Sequence, residues 1–264
     1  MSDLTRSSAP RVSAAPLPRM ILATDLDGTF LGGCENGRRR LYDWLSDPAN
    51  DVALIFVTGR DPAFISALCA PGDVPAPSHV IGDVGTTIAR FHAGAVVPIP
   101  ELEADIAQRW NDRSAQVQAA LQGVTGLRMQ RTAFRYRLSY EYDPESFDPE
   151  TLAPVRAMGL DVLVSHGCFV DILPPGVSKG PSLLRLIGHL HLPPESVLVA
   201  GDTMNDLSMF QTGLHGAVVG GAEPELHAAT AALPRAHRCA SPGAAGIIEA
   251  IHAHRLHPTP PEAI

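Results

Sequence analysis

The chain has 264 residues, 45% of them hydrophobic and 18% charged, and a formal net charge of −8. It has room for a sizeable core, and its acidic surplus argues against nucleic acid or an anionic membrane as a partner, because both reward a basic face. Its cysteines, Cys34, Cys69, Cys168 and Cys239, form no C-x-x-C pair, which speaks against a zinc or redox motif and for reduced thiols in a cytoplasmic protein.

Residues 1–19 are rich in Pro, Ser, Ala and Arg and lack a continuous apolar stretch, so they are read as a disordered tail rather than a signal peptide. No later apolar run is long enough to cross a bilayer. Met20 to Thr24 is a short apolar run of the kind that forms a buried parallel strand, and it stops at D-L-D-G-T. Arg38 to Leu45 reads as helix. Val52 to Val57 is a second buried strand ending at Thr58-Gly59-Arg60, and Asp61-Pro62 opens a helix with Pro at its first position. His79 to Ile81 is a third strand before a Gly-rich turn. The pattern then changes. Leu102, Ile106, Trp110, Val117 and Leu121 share one side of an amphipathic helix. Tyr136, Leu138, Tyr140 and Tyr142 alternate as in a strand. Pro149 to Met158 reads as helix, and Asp161 to Val164 and Phe169 to Leu173 as strands. Such an order suits an α+β layer with one covered and one open sheet face. The strand–helix alternation resumes with Lys179 to Leu190 (helix), Val197 to Ala200 (strand), Asp206 to Thr212 (helix), Ala217 to Val219 (strand) and Ala244 to His252 (helix). The expected fold is α/β: a parallel-sheet core from residues 20–87 and 177–256, an α+β insert at 88–176, and a second disordered tail at 257–264, where P-T-P-P-E-A-I follows His257.

Asp25 and Asp27 stand two apart where the first strand ends, and along a strand that spacing puts both carboxylates on one face. Ligands of open α/β sheets bind outside the carboxyl ends of the strands. Two carboxylates there repel unless a cation or proton offsets them, and a hard divalent ion such as magnesium is the natural partner. Thr58 and Gly59 end the second strand ahead of a helix, where a hydroxyl and free N–H groups can hold phosphate oxygens. Lys179, in G-V-S-K-G, stands before a helix and could offset charge on a transferring group. Gly201-Asp202-Thr203-Met204-Asn205-Asp206 supplies two more carboxylates and an amide at another strand end. Asp202 is a metal ligand on this reading, and Asp206 orients a metal water or Lys179. Each piece alone is a weak to moderate signal that also reads as a turn, a helix cap or a solvated surface lysine; in this order, each beside a strand end or helix start, they point to one site.

At these residues the chain resembles the haloacid dehalogenase superfamily of aspartate-nucleophile phosphatases. D-x-D-G-T matches Asp25 to Thr29, the strand-terminal hydroxyl is Thr58, the Lys is Lys179, and G-D-x-x-N-D matches Gly201 to Asp206. The resemblance implies a Rossmann-like core with the insert as a large α+β cap. Within the superfamily the chain looks most like the sucrose-phosphate phosphatases, which include mannosylfructose-phosphate phosphatases, through G-D-V-G-T-T-I (Gly82 to Ile88), V-D-I-L-P-P-G-V-S-K-G (Val170 to Gly180) and G-D-T-M-N-D-L-S-M-F (Gly201 to Phe210). Thr87 stands where sucrose phosphatases often carry the acid of G-T-E-I, which puts sucrose phosphate itself in question. The roles implied are Asp25 as nucleophile and Asp27 as general acid and base. Mg2+ is held by Asp25, the Asp27 carbonyl and Asp202. Thr58, Gly59, Lys179 and Asn205 hold the phosphoryl oxygens, and Asp206 supports them from behind. The expected substrate is a small sugar phosphate, a disaccharide phosphate such as sucrose or mannosylfructose phosphate. The alternatives are glucosylglycerol phosphate, a glycosyl-phosphoglycerate, a phosphosugar mutase, or a non-catalytic sensor, which would usually lack Asp25 or Asp27. The expected partner is a glycosyltransferase that makes the phosphorylated sugar, and the expected state a monomer or weak dimer.

The histidines near the C-terminus, His252, His254 and His257, are read as solvated. The tyrosine stripe is read as a packed sheet face, with Arg135 and Arg137, which alternate with it, as candidates to face the cleft.

Overall fold

A computed structural model of the chain describes residues 17–133 and 135–263. Of the expected N-terminal tail, 1–16 lie outside the described residues, and the Arg19 N–H donates to the Asp51 carbonyl. The elements in chain order are β1 (Met20–Thr24), α1 (Glu35–Ser46), β2 (Val52–Val57), α2 (Pro62–Cys69), β3 (His79–Gly82), β4 (Thr87–His92), β5 (Ala95–Pro98), α3 (Pro100–Trp110), α4 (Ser114–Leu121), β6 (Leu127–Met129), β7 (Leu138–Tyr142), α5 (Ala153–Ala157), β8 (Asp161–Ser165), β9 (Phe169–Leu173), α6 (Lys179–His189), β10 (Val197–Gly201), α7 (Leu207–Phe210), β11 (His215–Gly220), α8 (Pro224–Thr230), β12 (Ala236–Pro242) and α9 (Gly243–His254).

The larger sheet runs β12-β11-β10-β1-β2-β3-β4-β5. Neighbours from β12 to β3 pair parallel, and β4 and β5 are added antiparallel. The strands alternate between two cores: Met20 and Leu22 pack with α1 and α9, while Ile21 and Ala23 pack with α6 and α7. After β1 the chain builds outward to β3 and later returns to β10 on the other side of β1. This reversal opens a crevice at the carboxyl ends of β1 and β10, the usual ligand position in such sheets.

The second sheet, β6-β7-β9-β8, is antiparallel. Leu138, Tyr140, Val170 and Ile172 pack with Trp110, Val117, Leu121, Leu152 and Val155 on its covered face. Tyr136 and Tyr142 pack against the same cluster, so the tyrosine stripe is a packed face. The other face carries Arg137, Ser139, Phe169, Asp171 and Ser165 by alternation; Ser139 opposes Asp171, and Ser165 opposes Phe169.

Several boundaries differ from those the sequence suggests. Residues 87–98 form the β4–β5 hairpin of the larger sheet, so the insert begins about ten residues later than 88. The stripe from Leu102 to Leu121 is two helices, broken where Asn111 (φ 49°) and Asp112 (φ 52°) turn left-handed. The stretch 257–263, read as a tail, packs on the core. His257 is buried and its Nε2 donates to the Asn50 carbonyl (2.7 Å), Trp44 Nε1 donates to the Thr259 carbonyl (2.8 Å), and His252 Nε2 donates to the Pro261 carbonyl (2.7 Å). His257 is therefore not a solvated tail group, whereas His252 stays exposed as expected, and half-buried His254 donates to the Gly216 carbonyl. Among the described residues no helix is long and apolar enough to cross a membrane.

Candidate active site

Asp25 is the first residue beyond β1, and its N–H continues the ladder to the Ala200 carbonyl at 2.9 Å. The chain then turns sharply, with Gly28 at φ 78°. A Cβ at Gly28 would lie 2.1 Å from Asp202 Oδ2, so only glycine lets this loop approach the one that follows β10. Thr29, at the end of D-L-D-G-T, donates to Asp202 Oδ1 at 2.6 Å and joins the two loops.

Lys179 begins α6 and is fully buried. Its Nζ donates to Asp25 Oδ1 (2.6 Å), Asn205 Oδ1 (2.7 Å) and Asp206 Oδ1 (2.6 Å), which uses all three protons of an ammonium. Burial pulls the Lys179 pKa down, but Asp206 and Asp25 more than offset it, and it stays above the ordinary lysine value. Asp206 Oδ2 accepts the N–H groups of Asp202 and Thr203, each at 3.0 Å.

Burial pushes Asp25 up to about 8 against the pull of Lys179, with Asp206 adding repulsion. Burial also pushes Asp202 up to about 6, against the Thr29 hydrogen bond. Asp25, Asp202 and Asp206 bring carboxylate oxygens within 4.8 Å of one another. Asp206 is occupied by Lys179 and backbone amides, and the hydrogen bonds here use Oδ1 of Asp25 and Oδ1 of Asp202. Two crowded carboxylates, each with an oxygen to spare, fit a hard divalent cation such as magnesium.

Asp27 turns away from this cluster. Arg60 grips it with Nε to Oδ2 (2.8 Å) and Nη2 to Oδ1 (3.0 Å), and stacks over the Phe64 ring at 4.5 Å. The Arg60 hydrogen bond holds the Asp27 carboxyl below its ordinary range. Any share Asp27 has in a metal site therefore falls to its main-chain carbonyl. Thr58 is buried at the end of β2, and its Oγ1 accepts the Arg60 N–H at 3.1 Å. Asp61 Oδ1 caps α2 by accepting the Phe64 N–H.

Asp25, Asp27, Thr58, Gly59 and Asn205 line one cleft of about 410 Å³, within the range of small-molecule sites. Its roof is the open face of the second sheet: Gln130, Thr132, Arg137, Ser165, His166, Phe169 and Asp171. Lys179 and Asp206 lie beneath the floor, sealed from the cleft. Arg137 faces the site, bound to Asp171 Oδ1 (2.9 Å), the Gly59 carbonyl (3.1 Å) and Asp83 Oδ1 (3.3 Å). Arg135 pairs with Glu103 and Thr87 instead.

Sequence reasoning assigned no role to Thr29, Arg60 or Asp83. Thr29 and Arg60 sit inside the motifs already quoted, so the motif's own polar residues were the available signal. Asp83 had only its place in G-D-V-G. It and Val84 have φ of 53° and 58°, and such non-glycine conformations cost about 1–3 kcal/mol each. A second group of metal-ligating types, His237, Cys239 and Glu249, is internally satisfied. Glu249 accepts the Ala240 and Ser241 N–H groups and faces His237, while the Cys239 thiol donates to the Gly246 carbonyl.

A parallel core with an α+β cap, and an aspartate cluster around a buried lysine at the strand ends, define a hydrolase of the haloacid dehalogenase superfamily. The sequence model of the sucrose-6F-phosphate phosphohydrolase family matches residues 18–255, and the chain belongs to that family. It is 38% identical over 232 residues to a glucosylglycerol-phosphate synthase of Pseudomonas anguilliseptica, covering 88% of this chain but 30% of that protein. The chain thus spans under a third of that relative's length. It is 30% identical over 252 residues to a mannosylfructose-phosphate phosphatase of Agrobacterium fabrum, covering 91% of this chain and 99% of that one. A sucrose-phosphatase from Synechocystis sp. PCC6803, solved with sucrose and phosphate, superposes with a TM-score of 0.81 at 26% identity, covering 90% of this chain and 99% of that chain.

Proposed function

We propose that the protein is a magnesium-dependent phosphatase of a small neutral glycoside phosphate, and that glucosylglycerol phosphate and the disaccharide phosphates are its substrate class. The observation that carries this is the cleft itself. Asp25 and Asp27 both line its floor, and its roof offers hydroxyl, amide, imidazole and aromatic groups. The roof cation, Arg137, is engaged by Asp171 and Asp83, which favours a neutral polyol over a glycosyl-phosphoglycerate with its extra carboxylate. Glucosylglycerol phosphate stands first because the relative at 38% identity carries that molecule in its name. The same likeness supports association with the glycosyltransferase that makes the substrate. A cytoplasmic setting suits the free thiols.

In the proposed reaction an Asp25 oxygen attacks phosphorus, the bond from phosphorus to the sugar oxygen breaks, and Asp27, which takes up a proton from solvent once it has left Arg60, gives that proton to the sugar oxygen. Water then attacks the aspartyl-phosphate, Asp27 takes its proton back, and phosphate and the Asp25 carboxylate are released. Asp27 must first exchange Arg60 for the leaving group. Lys179 keeps Asp25 oriented from below, and a phosphoryl oxygen reaches it only by displacing one of its present partners. Thr58 and the Gly59 N–H hold the phosphoryl oxygens. Asp25 and Asp202, with the Asp27 carbonyl, would hold magnesium, which when bound neutralises charge developing on the phosphoryl group.

The test is phosphate release from a panel of glucosylglycerol, sucrose, mannosylfructose, glucosyl-phosphoglycerate and hexose phosphates, with and without magnesium, beside Asp25→Asn. Magnesium-dependent release that the variant loses by at least about a thousandfold is expected for a missing nucleophile. A folded, magnesium-binding protein that cleaves none of them defeats the proposal.

A further inference from the structure

The turn between β3 and β4 is left-handed at three consecutive residues: Asp83 (φ 53°), Val84 (φ 58°) and Gly85 (φ 100°). Val84 is β-branched, the residue class that resists this conformation most. Backbone held this way persists only where its surroundings over-determine it, and such places concentrate at functional sites. Here the surroundings are three parts of the site.

The first is the phosphate-binding strand end. The Asp83 N–H donates to the Arg60 carbonyl (3.0 Å) and the Val84 N–H to the Thr58 carbonyl (3.1 Å). The second is the start of α6. Ser182 Oγ donates to the Gly85 carbonyl (2.7 Å), and a Cβ on Gly85 would lie 2.4 Å from the carbonyl carbon of Ser178, the neighbour of Lys179. The third is the cap. Arg137 Nη2 reaches Asp83 Oδ1 at 3.3 Å. Asp83 Oδ2 accepts the Thr87 hydroxyl at 2.6 Å, and that hydroxyl accepts Arg135 Nη2 at 2.9 Å. Both oxygens of one core carboxylate therefore answer to cap arginines, one directly and one through Thr87. An ionised glutamate at 87 could not donate to Asp83; a threonine hydroxyl can accept from Arg135 and donate to Asp83 together.

We infer that Asp83 is a positioning residue that couples cap closure to the phosphate site. When the cap seats Arg137 on Asp83 and Arg135 on the Thr87 hydroxyl that bonds it, the strained turn is held, and with it Thr58, Gly59 and the base of α6. The inference rests on the phosphatase reading for its kinetic form but not for its physical form.

The experiment is a double-mutant cycle of Asp83→Asn, Arg137→Gln and the double variant, each first shown to be folded by its unfolding midpoint. Each single change is expected to lower kcat/KM on the best sugar phosphate about tenfold or more, the size of one hydrogen bond to a charged group. The double variant should be little worse than either, because the two act as one unit. Hydrogen exchange supplies the readout that needs no catalysis: in Asp83→Asn the amides of Thr58, Asp83 and Val84 should exchange faster, while those of β7 stay protected. Thr87→Val should reproduce the effect in part. Multiplicative losses in the cycle, or unchanged exchange at these amides, would overturn the inference. If the wild-type protein releases no phosphate at all, the phosphatase reading fails, and the exchange experiment still decides the coupling.

Discussion

At Lys179 an ammonium without contact to water meets two carboxylates at 2.6 Å each. Removing one partner from such a buried group strands the others, which costs about 3–5 kcal/mol. Lys179→Met should therefore lower the unfolding free energy measured in urea by a matching amount and abolish phosphate release. A variant as stable as the parent would show that the cluster does not depend on its cation. Asp27 is the opposite case, half-exposed and gripped by Arg60. Asp27→Asn should keep the fold and lower kcat by about 10²–10⁴, the usual worth of a general acid and base. Stopped-flow measurement should place the loss in both leaving-group departure and hydrolysis of the intermediate.

Among elements, the seam between β11 and α9 carries a titratable pair. His254 Nε2 donates to the Gly216 carbonyl, so its Nδ1 is the acceptor for His215 Nδ1–H at 3.2 Å. A proton on His254 Nδ1 would face that donor. Burial lowers both pKa values below the ordinary 6.5. Between the folded and unfolded values the unfolded chain binds more protons, so the stability of the seam is full above about pH 6.5 and falls as the pH drops below it. Melting temperatures should decline from pH 7 to 5.5 in the parent and decline less in His254→Gln. Equal slopes would remove the pair from the account. At the loop after β1, Gly28→Ala combines left-handed strain with a clash on Asp202. It should weaken magnesium affinity as well as stability by about 1–3 kcal/mol, read by calorimetric titration of the metal.

For the whole molecule, the carboxyl edge of the larger sheet carries the candidate site and the amino edge is closed by residues 257–263. His257 lies edge-on to Trp44 and bonds Asn50, which precedes β2. Ending the chain at Leu256 should cost about 1–3 kcal/mol from lost hydrogen bonds and aromatic contact. That lowers the melting temperature by several degrees with kcat at 25 °C unchanged, because the segment lies across the sheet from the cleft. A large loss of activity in a folded truncation would contradict this division of the molecule.

The sequence alone determined the parallel core, the insert, and the convergence of Asp25, Asp27, Thr58, Lys179 and Asp202 on one edge. These follow from local rules: buried strands are continuous apolar runs, and a motif's position at a strand end places it at the sheet edge. The hairpin at 87–98, the break at Asn111 and the polar strand Ala236–Pro242 were not legible. Their pattern is weak or continuous, and hydrogen-bond partners elsewhere in the fold select them. The tail was misread because P-T-P-P has no local preference for order, while its anchors, Trp44 and Asn50, lie some two hundred residues away. Likewise only tertiary structure decided that Lys179 is sealed below the floor, that Arg60 holds Asp27, and that the cap arginine Arg137 meets Asp83. Which charge pairs with which depends on the closure of two sheets against each other, a distance in space that spacing along the chain does not encode.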